Sequence, residues 1–419
     1  MLNVDPKMTK AHTLVIPTFN RPTLLKRLVQ YLRDRGSPMN LLVLDSSKAE
    51  VAERNAKVLS VVGKSVRHVV FPETEPPSSK LSHGLDLVQT PYVSFCADDD
   101  LVFPERLREA VKLLETHSDY VCAHGLYLNF RQTGGNVHLT IEYAGPSNEA
   151  TYAGARIFRL CQKYESLFYA TFRTPDARDI FSAMAAVPSF HFQELFQSVA
   201  ALIKGKVRRF PNFYAARQSG PLAEPGREKW QPFHWFADNP AEILDHYRAY
   251  RGELWKFYET HGPASRLDKQ AFFKTLDLAH AVYFSAGCPS EYFHSVLQQY
   301  WPGDSYSRIG RLDALRVVDK LLVLKQAVFP SANLGADLLD QLRTPADLPT
   351  WAAAGGLAAL RYLWQIACSG PGLARLNHDV KKACRTPWKC HLPVNLRWLP
   401  AVPDFRNTYL ELCYYLDQS

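Results

Sequence analysis

The stretch Pro91-Tyr92-Val93-Ser94-Phe95-Cys96-Ala97-Asp98-Asp99-Asp100 limits this chain more than any other. A short apolar run that ends in acids reads as a buried parallel strand with the carboxylates at its carboxyl end. Adjacent carboxylates repel one another, and burying them uncompensated costs solvation free energy. A bound divalent cation removes that cost, because hard oxygen ligands suit Mg²⁺ or Mn²⁺. Open α/β sheets also hold their ligands at the carboxyl ends of strands. The competing reading is a solvated acidic turn ahead of the helix that Pro104-Glu105-Arg106-Leu107 opens. The stretch alone does not decide between the two, so the rest of the chain has to.

Upstream, His12 to Pro17 is a β-branched run that predicts a first strand, followed by Pro17-Thr18-Phe19-Asn20-Arg21-Pro22. Asn20 or Thr23 stands where a cap would open an amphipathic helix running to Leu32. Asn40 to Leu44 predicts a second buried strand that ends at Asp45-Ser46-Ser47, then a helix over Ala49 to Leu59 and a third strand over Val66 to Phe71. The Pro-rich Glu73 to Ser79 predicts a turn, and Lys80 to Leu87 a helix that leads into the acidic strand. Strands alternating with helices imply right-handed βαβ units and a mostly parallel sheet. Beyond the acids, the pattern predicts a helix over Arg106 to Glu115, a strand over Tyr120 to Phe130 and a hairpin or loop over 129–148. It then predicts helices over Arg156 to Tyr169 and Pro188 to Ile203, the latter ended by Gly205, and a strand over Val207 to Ala215.

With 419 residues, one large or two ordinary domains are expected, and an apolar fraction of 47% is enough for a real core. From about residue 240 helical periodicity takes over, which predicts an α/β domain over 1–239 and an all-α extension over 240–419. No signal peptide is visible in the polar Met1 to Lys10. The eight cysteines show no CxxC pair, which predicts free thiols and a cytoplasmic location. The net charge of +8 suits an anionic ligand or an anionic membrane surface. No nucleic-acid-binding signature accompanies it, so the basic balance alone does not support that class and no nucleic-acid partner is expected. The sequence sets no oligomeric state.

Three segments now act together: Val15-Ile16-Pro17-Thr18-Phe19-Asn20-Arg21, Val43-Leu44-Asp45-Ser46-Ser47 and Ala97-Asp98-Asp99-Asp100 with Pro104 behind it. In this order and spacing they resemble the nucleotide-sugar half of a GT-A glycosyltransferase of the family 2 type, over roughly residues 10–235. The resemblance implies a Rossmann-like GT-A domain, a nucleotide-sugar donor, most naturally a UDP-sugar, and Mn²⁺ or Mg²⁺. It also implies transfer with inversion to a hydroxyl of a polysaccharide or glycolipid acceptor. The family's acidic motif is Asp-x-Asp, and here the triplet permits Asp98 with Asp100 or the Asp98-Asp99 pair. Asp99 or Asp100 would then hold the metal, with Asp98 nearer the ribose. Asp45 would reach the base or ribose, and Pro17, Thr18 and Asn20 would floor the nucleotide. Arg21 and Lys80 are candidate phosphate contacts, since cations attract a diphosphate.

Inverting transfer needs a base for the acceptor hydroxyl. Glu194, in Phe192-Gln193-Glu194-Leu195, is placed as the family places its catalytic acid, and His191 is the competing base. His234, in Trp230-Gln231-Pro232-Phe233-His234-Trp235, is a candidate extra metal ligand, weighed against a core-edge histidine. Cys384, Cys390 and His391 lack a second pair at zinc spacing and read as structural. The basic stretch from Lys381 to Lys389 and the helix over Trp351 to Cys368 would suit peripheral contact with an anionic membrane and a lipid-linked acceptor, although packing is the blander role. Two other readings stand beside the first. A nucleotidyl- or phosphosugar transferase would want a glycine-rich loop after the first strand, and Pro17 to Asn20 has no glycine. A non-catalytic scaffold module would have no need of intact acids.

Overall fold

In a computed structural model, described over residues 10–35, 40–60, 66–133, 136–143, 146–162, 164–218, 240–263 and 267–286, apolar side chains leave both faces of one sheet. Leu14 and Ile16 of β1 (His12–Thr18) and Leu41 and Val43 of β2 (Asn40–Asp45) pack to one side, while Val15, Leu42 and Leu44 pack to the other. The alternation is the period-two consequence of strand geometry, and continuous apolar runs are what a doubly covered sheet requires.

The first face is covered by α1 (Pro22–Asp34), through Leu25, Leu28 and Leu32, and by α4 (Pro104–Thr116), through Leu107 and Ala110. The second is covered by α3 (Pro77–Asp86), α5 (Ala153–Gln162), α6 (Thr174–Ala185) and α7 (Phe190–Lys204). Helix α2 (Ala49–Ser60) adds Leu59 to the first face. Helices α8 (Pro240–His261) and α9 (Lys269–Ala286) add Tyr247, Tyr250, Leu254, Phe272 and Leu276 to the second-face core. Those two helices are the part of the expected all-α extension over 240–419 that the structure describes, and they pack on the α/β core. The rest of that stretch, including Trp351 to Cys368 and the cysteines at 384 and 390, lies outside the described residues. Among the described residues no helix is long and apolar enough to cross a membrane.

Among the described residues the sheet has nine strands, in the order β3-β2-β1-β4-β8-β6-β9-β5 with β7 paired to β6. These are β3 (Val66–Val70), β4 (Tyr92–Phe95), β5 (Leu101–Val102), β6 (Tyr120–Thr133), β7 (Asn136–Tyr143), β8 (Thr171–Arg173) and β9 (Lys206–Gln218). β1 pairs in parallel with β2 and β4, and β2 with β3. The antiparallel β8 sits between β4 and β6, which therefore run the same way, and β9 lies parallel to β6. Six of the nine strands share one direction, as the expected mostly parallel sheet requires. Parallel crossovers carry the chain from β1 out to β3; it then returns across β1 to β4, so the strand order reverses between β1 and β4. That reversal opens a crevice at the carboxyl ends of these two strands.

Three departures from the sequence reading have plain causes. The helix expected over Arg156 to Tyr169 stops at Gln162, and the residues after it feed the short β8. Helix α6 went unanticipated, although Ala177, Ile180, Phe181 and Met184 face inward at helical spacing. Gly205 does end α7, but in an extended conformation rather than a left-handed one. Its lack of a side chain matters because a Cβ there would stand 3.0 Å from the Asp119 carbonyl.

Candidate active site at the β1–β4 crevice

β1 ends at Thr18, and the chain then has to turn sharply into α1. Asn20 makes that turn at φ 57°, a left-handed conformation that Asn tolerates better than most residues. Its side-chain oxygen accepts the Lys48 N–H at 3.0 Å, and its own N–H donates to the Ser47 hydroxyl at 2.8 Å. The loops after β1 and β2 are thereby latched together. Pro22 occupies the first turn of α1, where a missing N–H costs nothing. Arg21 is the cap residue and makes no side-chain cap bond, so neither Asn20 nor Thr23 caps the helix as expected. Pro17 is half-buried under the loop, and Phe19 stands 48% exposed beside it.

Across the crevice, the buried Thr18 hydroxyl donates to Asp98 Oδ2 at 2.7 Å. Arg21 Nη1 reaches both Asp98 Oδ1, at 3.4 Å, and Asp99 Oδ2, at 2.8 Å. Asp100 turns the other way: Tyr169 donates its phenol to Asp100 Oδ2, and the Gln218 N–H donates to Oδ1 at 2.6 Å. Burial and the neighbouring Asp99 charge push the Asp100 carboxyl up to about 7, against the pull of Arg217 and these two donors. Burial also raises Asp98, in spite of its bonds from Thr18 and Arg21. The triplet is thus divided, with Asp98 and Asp99 converging on one positive charge and Asp100 locked into the fold.

This division tests the fit to a metal. One guanidinium nitrogen already bridges an oxygen of Asp98 and an oxygen of Asp99, so a single cation position serves both carboxylates. Two carboxylates plus substrate phosphate oxygens are what Mg²⁺-type sites commonly use. Among the described residues no group of three His, Cys, Asp or Glu side chains closes around a metal. The residues therefore fit a cation shared with a diphosphate, on the Asp98-Asp99 pair. Asp100, the other register of the triplet, would first have to leave Tyr169 and Gln218. His234 lies outside the described residues.

The other expected residues divide similarly. Lys80 is buried, and its ammonium donates to the Thr18 carbonyl at 3.1 Å and to the Ser46 hydroxyl at 2.8 Å, joining α3 to β1 and β2. Burial lowers its pKa, partly offset by the charges of Asp45 and Asp98. Asp45 has no exposure, and its oxygens take the Ser47 N–H at 2.9 Å, the Asn55 amide at 2.9 Å and a bond with His68 Nε2 at 3.0 Å. Those bonds take three of the roughly four acceptor positions of the carboxylate, which leaves at most one for a base or ribose. Burial alone would raise the Asp45 carboxyl, but the bonds from His68, Ser47 and Asn55 outweigh it and hold the group well below the usual carboxylate range.

That depression fixes a sign. A carboxyl whose folded pKa lies below its unfolded one contributes stability that is present above the unfolded value, here 3.8, and is lost as pH falls below it. Asp45→Asn is therefore expected to melt with a shallower acid limb than the parent when melting temperature is followed below about pH 4. Superimposable limbs would mean that these bonds do not favour the charged form.

Glu194 and His191 stand on the first turns of α7, both half-buried. The Tyr164 phenol donates to the Glu194 carbonyl oxygen at 3.3 Å, and the segment that begins there ends on Tyr169 and Asp100. The same segment thus links the start of α7 to the acidic turn. Burial and the neighbouring His246 lower the His191 pKa.

Several residues of this site escaped sequence reasoning. Arg27 is buried on α1 and donates to the Asp99 carbonyl at 2.6 Å and to the Gln218 side-chain oxygen at 2.7 Å, tying the acidic turn to β9. Tyr169, His68 and Asn55 were also missed. In the sequence, the one available signal was an arginine in a helix whose neighbours face the core.

Residues 13–173 match the family described as Glycosyl transferase family 2. No curated protein matches the chain. Among solved structures, the chain is similar to S. aureus TarS residues 1–349, at 12% identity and a TM-score of 0.44 over 84% of this chain and 90% of that one. It is similar to the same TarS fragment in complex with UDP-GlcNAc, at 12% identity and a TM-score of 0.45 over 80% and 91%. A third is the mannosyltransferase PcManGT from Pyrobaculum calidifontis in complex with GDP-Man and Mn²⁺, at 13% identity and a TM-score of 0.39 over 80% and 89%.

Proposed function

We propose that this chain, which matches family 2 glycosyl transferases over residues 13–173, moves a sugar from a nucleotide-sugar donor to an acceptor hydroxyl with inversion. One observation carries the reading: at the strand-order reversal, the carboxylates of Asp98 and Asp99 converge on a single positive charge. When bound there, a divalent cation would offset the charge that develops on the departing diphosphate.

The chain's own residues do the rest. Thr18 fixes the rotation of Asp98 through its hydroxyl. Pro17, Thr18 and Asn20 form the floor beneath the nucleotide, and the latch from Asn20 to Ser47 and Lys48 keeps that floor rigid. The exposed Arg21 can turn to the diphosphate. Glu194 takes the proton of the attacking hydroxyl, with His191 second in line. A half-buried carboxylate is better matched to that task than a fully solvated one. The net charge of +8 favours an anionic donor and an acceptor held at an anionic surface, such as a lipid-linked glycan on the cytoplasmic side of a membrane. A UDP-sugar is the proposed donor, and residues 240–419, whose first two helices pack into the second-face core, are proposed to face the acceptor.

The test is a melting experiment with UDP, GDP, CDP and dTDP, each with and without Mn²⁺. UDP at a hundredfold excess over its dissociation constant should add about 2.7 kcal/mol. That corresponds to a rise of about 5–10 °C for a domain of this size, and the rise should be larger with metal. If no diphosphate moves the melting temperature under either condition, the donor assignment is wrong.

A further inference from the structure

We propose that Arg21 is the resident counter-cation of the Asp98-Asp99 pair, and that a divalent cation binds only by displacing it. This inference rests on the metal-assisted reading above. Its geometric basis is that Arg21 Nη1 lies within 3.4 Å of Asp98 Oδ1 and 2.8 Å of Asp99 Oδ2. Two cations cannot share the same pair of carboxylate oxygens without strong mutual repulsion.

The structure also identifies which partner moves. The Asp98 side chain is 4% exposed and tied to Thr18, and the Asp99 backbone is held through its carbonyl by Arg27. The Arg21 side chain is 52% exposed. Its backbone is held by the left-handed Asn20 before it and Pro22 after it, and its carbonyl accepts the Leu25 N–H at 3.1 Å. Displacement is therefore a swing of the side chain about a fixed loop. Among the described residues, three neighbouring cations are engaged elsewhere: Lys80 on the Thr18 carbonyl and Ser46, Arg27 on the Asp99 carbonyl and Gln218, and Arg217 over the Tyr169 ring on the Asp100 side. Arg21 thus holds the acids at a fixed separation while no metal is present, at the cost of weaker metal binding. An anionic ligand that draws Arg21 away raises metal affinity, and by reciprocity the metal raises affinity for that ligand.

The experiment is a Mn²⁺ titration of the full chain without nucleotide, reading free Mn²⁺ by electron paramagnetic resonance, on the parent, Arg21→Gln and Arg21→Lys. Melting temperatures confirm that each variant is folded. Removing a half-exposed competing ion pair should tighten Mn²⁺ binding about fivefold in Arg21→Gln. Arg21→Lys, which keeps the charge, should stay within about twofold of the parent on the same grounds. If the parent binds Mn²⁺ and Arg21→Gln binds it equally or more weakly, this inference is overturned and the metal-assisted reading survives. If no chain binds Mn²⁺, even with UDP present, both fall together.

Discussion

Asp99→Asn is expected to lower donor turnover about a thousandfold, measured as Mn²⁺-dependent release of UDP from a UDP-sugar, while the protein melts within about 2 °C of the parent. The two halves of that expectation have separate causes. The Asp99 side chain is 27% exposed and bonds Arg21, itself half exposed, and such ion pairs contribute about 0–1 kcal/mol. The structural role of this residue lies in its backbone carbonyl, which accepts from Arg27 and is untouched by the substitution. In the transition state the carboxylate would help hold the charge that balances a leaving diphosphate. A thousandfold loss equals roughly 4 kcal/mol of barrier, within the range for a preorganised electrostatic contact. Asp100 is the contrasting member of the triplet, because Tyr169 and Gln218 hold its carboxylate inside the fold. Turnover that survives in Asp99→Asn would take the chemistry away from this crevice.

Phe95→Ala is the substitution expected to cost most stability, about 3–5 kcal/mol. Phe95 has no exposure, and its ring centroid lies 4.5 Å from that of Phe181, 5.3 Å from Phe168 and 6.4 Å from Phe172. These contacts join β4 to β8, to α6 and to the segment leading to Tyr169. Truncation leaves a cavity among rings that belong to several elements, so the surroundings cannot collapse cheaply. For a domain of this size the melting temperature should fall by about 10 °C. Because Asp98 follows three residues later, nucleotide affinity should weaken as well. A melting temperature within about 2 °C of the parent would show that the rings do not anchor the strand.

The parts of this architecture that rest on local pattern were legible in the residues. Val15-Ile16, Leu41 to Leu44 and Tyr92 to Phe95 are buried runs ending in polar or acidic turns, and they form adjacent parallel strands. Asp98, Asp99, Thr18 and Arg21 do come together, while Asp100 turns away. Contacts between residues far apart in sequence were not legible. Tyr169 lies 69 residues from Asp100, and Gln218 lies 118 residues from it. No periodicity announces that β8 would slip antiparallel between β4 and β6. Lys80 shows the converse: its place in the sequence suited a phosphate contact, but the fold uses its charge to bind a carbonyl and a hydroxyl beneath the floor. Asp45 likewise ends the strand as expected, while Asn55 and His68, brought in by α2 and β3, turn its carboxylate inward.

The acidic turn also acts as a strap. It leaves β4 at Phe95 and enters β5 at Leu101, yet β8, β6 and β9 lie between those strands in the sheet. Four interstrand steps on a flat sheet would span roughly 19 Å. Six residues of chain reach about 20 Å at full stretch, and the bond from the Asp100 N–H to the Ala97 carbonyl takes up slack within them. The sheet therefore has to curl until the tops of β4 and β9 approach, and the strap that holds the curl is made of Asp98, Asp99 and Asp100 themselves. The short connection therefore places these acids where the two halves of the sheet are drawn together.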